Sequence, residues 1–101
     1  MRKIKLFAFL FIFSSPVFAD PKMELGLEVF NNKAQCGMCH TLKAAGSEGQ
    51  IGINLDQLKP LMSQVIMAVT NGNGVMPTFE GMLSSEEIEA VSYFVFTSTN
   101  Q

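Results

Sequence analysis

A chain of 101 residues, 48% of them hydrophobic, has room for one small domain. Its 7 basic residues include a single arginine, Arg2, and are outnumbered by 9 acids. That balance excludes the arginine-rich surfaces that grip phosphates and base edges, so nucleic acid is not a partner, and an electropositive protein is a better match.

In chain order, the first segment is a leader. Arg2, Lys3 and Lys5 precede the apolar run LFAFLFIF, and Val17-Phe18-Ala19 supplies small residues at the usual cleavage positions. The pattern predicts a signal peptide over residues 1–19, cut before Asp20, and a single domain over 20–101. An uncleaved anchor would need about 20 apolar residues, and Ser14-Ser15-Pro16 interrupts the run first. Cleavage leaves Lys22, Lys33, Lys43 and Lys59 against all 9 acids. The product is exported to the periplasm of a bacterium and has no stable membrane insertion.

Asp20-Pro21 reads as an N-cap followed by proline at the first helical position. Met23, Gly26, Leu27 and Phe30 then share one face, which predicts a helix to about Asn31. Gly26 costs that helix roughly 1 kcal/mol against alanine, so it marks a close crossing with another helix.

Next comes QCGMCHT, residues 35–41, with both cysteines and the one histidine of the chain. From Thr41 to Leu58 the sequence is rich in glycine and small residues without steady periodicity, and is read as a long functional loop. A second helix is expected from Pro60, with Met62, Val65, Ile66 and Val69 as its buried stripe and Asn71-Gly72 as its end. A loop carrying Val75-Met76-Pro77 follows. The last helix opens with Ser84-x-x-Glu87, a capping box, and buries Ile88, Val91, Phe94 and Val95. Glu86, Glu87 and Glu89 are read as a cap and a solvated face. VSYFVF alone has strand composition, but the cap and the spacing from Ile88 favour helix.

The cysteine pair has three readings. A structural zinc site needs four ligands, and this chain offers three adjacent ones. A redox dithiol, Cys36-x-x-Cys39, would make the protein a thioredoxin-like thiol-disulfide oxidoreductase, which needs a βαβ unit for which the sequence shows no strands. In the third reading Cys36 and Cys39 form thioethers to a haem and His40 reaches its iron. All the positions of Cys-x-x-Cys-His then have one chemical explanation.

On these residues the chain resembles the class I cytochromes c across the segment expected to remain after cleavage. Gly26-x-x-x-Phe30 precedes the attachment motif as in that family. Residues 53–55, INL, stand where it carries Gly-Pro-Asn-Leu, Val75-Met76-Pro77 where it carries the methionine ligand, and Phe94 where its aromatic packs on the first helix. The resemblance implies an all-α cytochrome c fold, about four helices wrapped around one covalently attached haem c. It implies cofactor binding by Cys36 and Cys39, and iron ligation by His40 and Met76.

Of the 7 methionines, Met1 leaves with the leader, Met38 lies inside the attachment loop, Met23, Met62 and Met67 belong to expected helices as core fillers, and Met82 begins the last helix. Met76 alone stands in a loop before a proline. Phe79, Tyr93, Phe94 and Phe96 are read as core and haem-wall residues. Ile53 replaces the family proline whose carbonyl accepts a hydrogen bond from the ligand histidine, and a backbone carbonyl remains there for the same bond.

The function implied is a one-electron carrier cycling Fe(III)/Fe(II), not an enzyme. A peroxidase would need a distal acid-base group, and His40 is already committed while Arg2 leaves with the leader. The segments CHTLKAAGSEGQIGINLDQLKP and VTNGNGVMPTFEGMLSSEEIEAV look like the small cytochromes that accompany exported molybdenum enzymes oxidising sulfite. That likeness implies redox protein partners: a sulfite dehydrogenase as donor, and a terminal oxidase or another cytochrome as acceptor.

Overall fold

The structure is a computed structural model that describes residues 20–101, and the expected leader lies outside the described residues. Helix α1 spans Pro21–Glu28. Asp20 caps it, one carboxylate oxygen accepting the Lys22 N–H at 3.0 Å and the other the Tyr93 hydroxyl at 3.1 Å. The helix does not end at Asn31. It widens into a π-helical turn over Val29–Lys33, closed by the Ala34 N–H donating to the Val29 carbonyl at 2.8 Å. Within that turn Val29 and Phe30, neighbours in sequence, are both buried.

The segment read as a structureless loop is built. Strands β1 (Thr41–Leu42) and β2 (Ser47–Glu48) pair antiparallel with Thr41 opposite Glu48, around a single 3-10 turn at Lys43–Ala45. Strands of two residues are too short to show an alternating pattern, which is why sequence periodicity missed them. Helix α2 (Leu55–Leu58) follows, with the Asn54 side chain accepting the Gln57 N–H at 3.1 Å.

Helix α3 spans Met62–Asn71, two residues later than expected from Pro60. Gln64 reaches back to accept the Leu61 N–H at 2.8 Å, and that cap sets the start. Gly72 ends α3, as expected. Helix α4 spans Ser85–Thr99 behind the expected box: Ser84 Oγ accepts the Glu87 N–H at 3.1 Å and Glu87 accepts the Ser84 N–H at 2.9 Å. Ser92 and Thr99 are buried within it because their hydroxyls donate to the carbonyls of Ile88 and Val95. Two methionine expectations are corrected. Met82 lies in a turn before α4, not in it, and Met67 points away from the α3 stripe, 63% exposed.

The frame is the crossing of α1 on α4. A Cβ at Gly26 would sit 2.3 Å from the Ala90 carbonyl oxygen and 2.5 Å from Phe94 Cβ, a separation only glycine permits. Below the crossing the Phe30 and Phe94 rings pack at 6.0 Å and 57°, as the family resemblance implied. Leu42, Val69, Phe79, Leu83, Ile88, Val91 and Val95 complete the core. Phe79 and Phe94 are buried while Tyr93 and Phe96 are half-buried. Two ion pairs fasten the crossing outside, Lys22 with Glu89 at 3.1 Å and Lys33 with Glu87. No helix of the described residues is long and apolar enough to cross a membrane.

Candidate functional site

Gln35 adopts a left-handed conformation (φ 53°) and turns the chain out of the π-helical segment. Residues 36–40 then coil back on themselves. The Cys36 carbonyl accepts the N–H groups of both Cys39 and His40, at 3.1 and 3.0 Å. Local backbone bonding therefore gathers the two sulfurs and the imidazole onto one turn. The two cysteines are not joined in a disulfide, and both are half-buried.

The turn is held against the following segment. Thr41 Oγ1 donates to the Gly49 carbonyl at 2.9 Å, and Ser47 Oγ donates to the His40 carbonyl at 2.9 Å. The Gly52 N–H donates to the Cys39 carbonyl at 2.6 Å. His40 Nδ1–H donates to the Ile53 carbonyl at 2.7 Å, so the bond implied for the family proline is made here by isoleucine. With Nδ1 occupied as donor, the Nε2 lone pair is the one available to a metal. Gly52 lies against the ring: a Cβ there would come within 2.8 Å of His40 Cε1 and 3.0 Å of Nδ1. Sequence reading missed Gly52 as part of the site, though a glycine just before the accepting carbonyl is a visible signal.

Burial pushes the Cys36 thiol up to about 11, with the nearby Cys39 adding to the rise. A redox dithiol needs the reverse, a thiolate held well below the ordinary cysteine value. Among the described residues there is also no βαβ unit, so the thiol-disulfide alternative finds no support. An unbridged cysteine pair beside an imidazole with one nitrogen fixed fits a covalently mounted metal porphyrin, which Cys36 and Cys39 would hold through sulfur and His40 through nitrogen.

Met76 stands on a separate loop after α3. Asn73 and Met76 exchange backbone hydrogen bonds, N–H to O distances being 2.9 and 3.0 Å, which closes a tight turn with the methionine at its end. Its side chain is half-buried and packs against the core cluster. Cys36, Cys39, His40 and Ile53 are thus brought together by hydrogen bonds, while Met76 stands on its own loop and packs against the core.

A family profile described as "Cytochrome C oxidase, cbb3-type, subunit III" matches residues 21–95. Cytochrome c6 of Leptolyngbya boryana is 34% identical over 74 residues, 69% of this chain and 85% of that protein. Cytochrome c6 of Picosynechococcus sp. is 33% identical over 103 aligned positions, 91% of this chain and 86% of that protein. The crystal structure of the c-type cytochrome SorU from Sinorhizobium meliloti superposes with a TM-score of 0.76 at 46% identity, covering 82% of this chain and 97% of that one.

Proposed function

The chain belongs to the cytochrome c family, as a class I, single-haem electron carrier with covalently bound haem c and its iron, and on that premise we propose that Cys36 and Cys39 hold the haem while His40 and Met76 ligate the iron. The observation that carries this is the His40 ring, whose Nδ1–H is fixed by the Ile53 carbonyl and whose other nitrogen has no hydrogen-bond partner among the described residues.

Haem c supplies a one-electron Fe(III)/Fe(II) couple. The chain's own part is to change as little as possible when the electron arrives. The Ile53 carbonyl keeps His40 in one tautomer and makes its free nitrogen more basic. Gly52 keeps the ring from rotating by lying against it. The Met76 thioether is neutral and soft, so it favours ferrous iron and a raised potential. With His40 and Met76 both holding the iron, no place would be left for oxygen or peroxide, and the protein would pass electrons without breaking bonds.

The protein works with redox protein partners. In our reading the donor is a sulfite-oxidising molybdenum enzyme and the acceptor a terminal oxidase or another cytochrome; the support is the likeness of the two segments around His40 and Met76 to small cytochromes of such enzymes. An electropositive partner face would suit the exposed acids Glu24, Glu28, Glu48, Glu80, Glu86 and Glu89. Export to the periplasm with removal of residues 1–19 is supported by the charged, apolar and small-residue order of the leader.

Production of the full chain in a host that attaches haem tests the reading. The expected product has the mass of residues 20–101 plus one haem and a six-coordinate, low-spin spectrum in both redox states. A colourless product, or a five-coordinate high-spin ferric form, refutes it. For the partner, the ferric protein should be reduced by a sulfite dehydrogenase and sulfite at a rate that falls as salt rises; no reduction removes that donor.

A further inference from the structure

A helix leaves its last carbonyls without donors from its own turns, and something else must satisfy them. At the end of α3 the Ala68 carbonyl takes the Gly72 N–H at 2.8 Å. The next two are served from beyond the Met76 turn. The Val69 carbonyl takes the Phe79 N–H at 2.9 Å, and the Thr70 carbonyl takes the Thr78 hydroxyl. Thr78 Oγ1 in turn accepts the Glu80 N–H at 3.3 Å. The chain from 72 to 79 is therefore a loop with both ends on the same helix terminus, and Met76 is carried between them. Pro77 has no N–H to give, so the return of the chain after Met76 rests on Phe79 and on the side chain of Thr78.

We propose that Thr78 is a positioning residue for Met76: by donating its hydroxyl to the Thr70 carbonyl it fixes how the methionine loop stands on α3, and so how firmly the thioether holds the iron. The inference rests on the reading of Met76 as the sixth ligand. Phe79 is buried and would stay in place without this bond, whereas the Thr78 hydroxyl is at the surface and answers only for the loop. Losing the bond leaves the core intact and loosens the two residues next to the ligand.

The test uses the haem-loaded protein and four forms: wild type, Thr78→Val, Thr78→Ser and Met76→Ala. Imidazole, a good ligand for iron, is titrated into the ferric form and its binding read from the absorption spectrum. Met76→Ala, with no thioether to displace, should bind imidazole far more tightly than wild type. Thr78→Val should bind it about fivefold more tightly, the ratio that one ordinary hydrogen bond is worth. Its reduction potential should also fall, because a weaker thioether stabilises ferrous iron less. Thr78→Ser, which keeps the hydroxyl, should return both properties to near wild type. If Thr78→Val melts earlier but binds imidazole as wild type does, the residue is merely structural and the inference is overturned. If Met76→Ala itself binds imidazole no more tightly than wild type, the ligand assignment fails first and takes the inference with it.

Discussion

Gly26→Ala should destabilise the protein although it improves the helix that contains it. Alanine is worth about 1 kcal/mol more than glycine inside an exposed helix, so a reading of α1 alone expects a gain. The new methyl carbon would lie 2.3 Å from the Ala90 carbonyl oxygen and 2.5 Å from Phe94 Cβ, where ordinary contact begins at 3.4 Å. The helices must part by about 1 Å, and a gap of that size forfeits a quarter to a half of each contact's attraction along the seam. Overpacking of this kind costs about 1–3 kcal/mol, and the loosened Phe30–Phe94 contact adds to it. After subtracting the helix gain, a net loss of about 2 kcal/mol remains. In a domain of this size that lowers the melting temperature by about 8–16 °C, followed by far-UV circular dichroism. One control separates this cause from others. Because the closest atom is a backbone oxygen, Ala90→Gly in the Gly26→Ala background should give no rescue. A Gly26→Ala protein as stable as wild type, or more stable, would refute the close-crossing argument.

Other outcomes can be checked alongside. Gly52→Ala places a methyl carbon 2.8 Å from the His40 ring, so it should disturb the spectrum and potential of the haem-loaded protein at little cost to the helical signal. Ser84→Ala removes half of the α4 capping box and should cost about 1 kcal/mol in denaturant unfolding, with Ser84→Gly costing less. Lys33→Met tests the ion pair through pH. The hydrogen bond to Lys33 holds the Glu87 carboxyl below its ordinary value of 4.5, and the same contact raises Lys33 above 10.5. Glu87 thus stabilises the fold above about pH 4.5 and loses that contribution as pH falls through its folded value. Lys33 contributes below pH 10.5 and loses it as pH rises further. Wild type should exceed Lys33→Met in stability at pH 7, and the difference should shrink toward pH 3; a difference independent of pH would mean the pair is not the cause.

What could be read from the sequence alone was local chemistry. The Asp20-Pro21 start, the Ser84/Glu87 box and the Gly72 stop are short-range devices, satisfied within a few residues, and they appear where spacing put them. Cys-x-x-Cys-His is equally local, since one backbone turn suffices to gather its side chains. The hairpin at residues 41–48 escaped notice because strands of two residues cannot repeat an alternation, and α2 because four residues carry no stripe. Gly26 was legible as a crossing point, yet which atoms it meets was not, because Ala90 and Phe94 come from the far end of the chain. The resemblance offered the Ile53 carbonyl as an acceptor, but only the tertiary structure decided that it accepts the His40 N–H and that Thr78 closes the end of α3. Those bonds join groups with ordinary local preferences, and long-range packing alone brings them within reach.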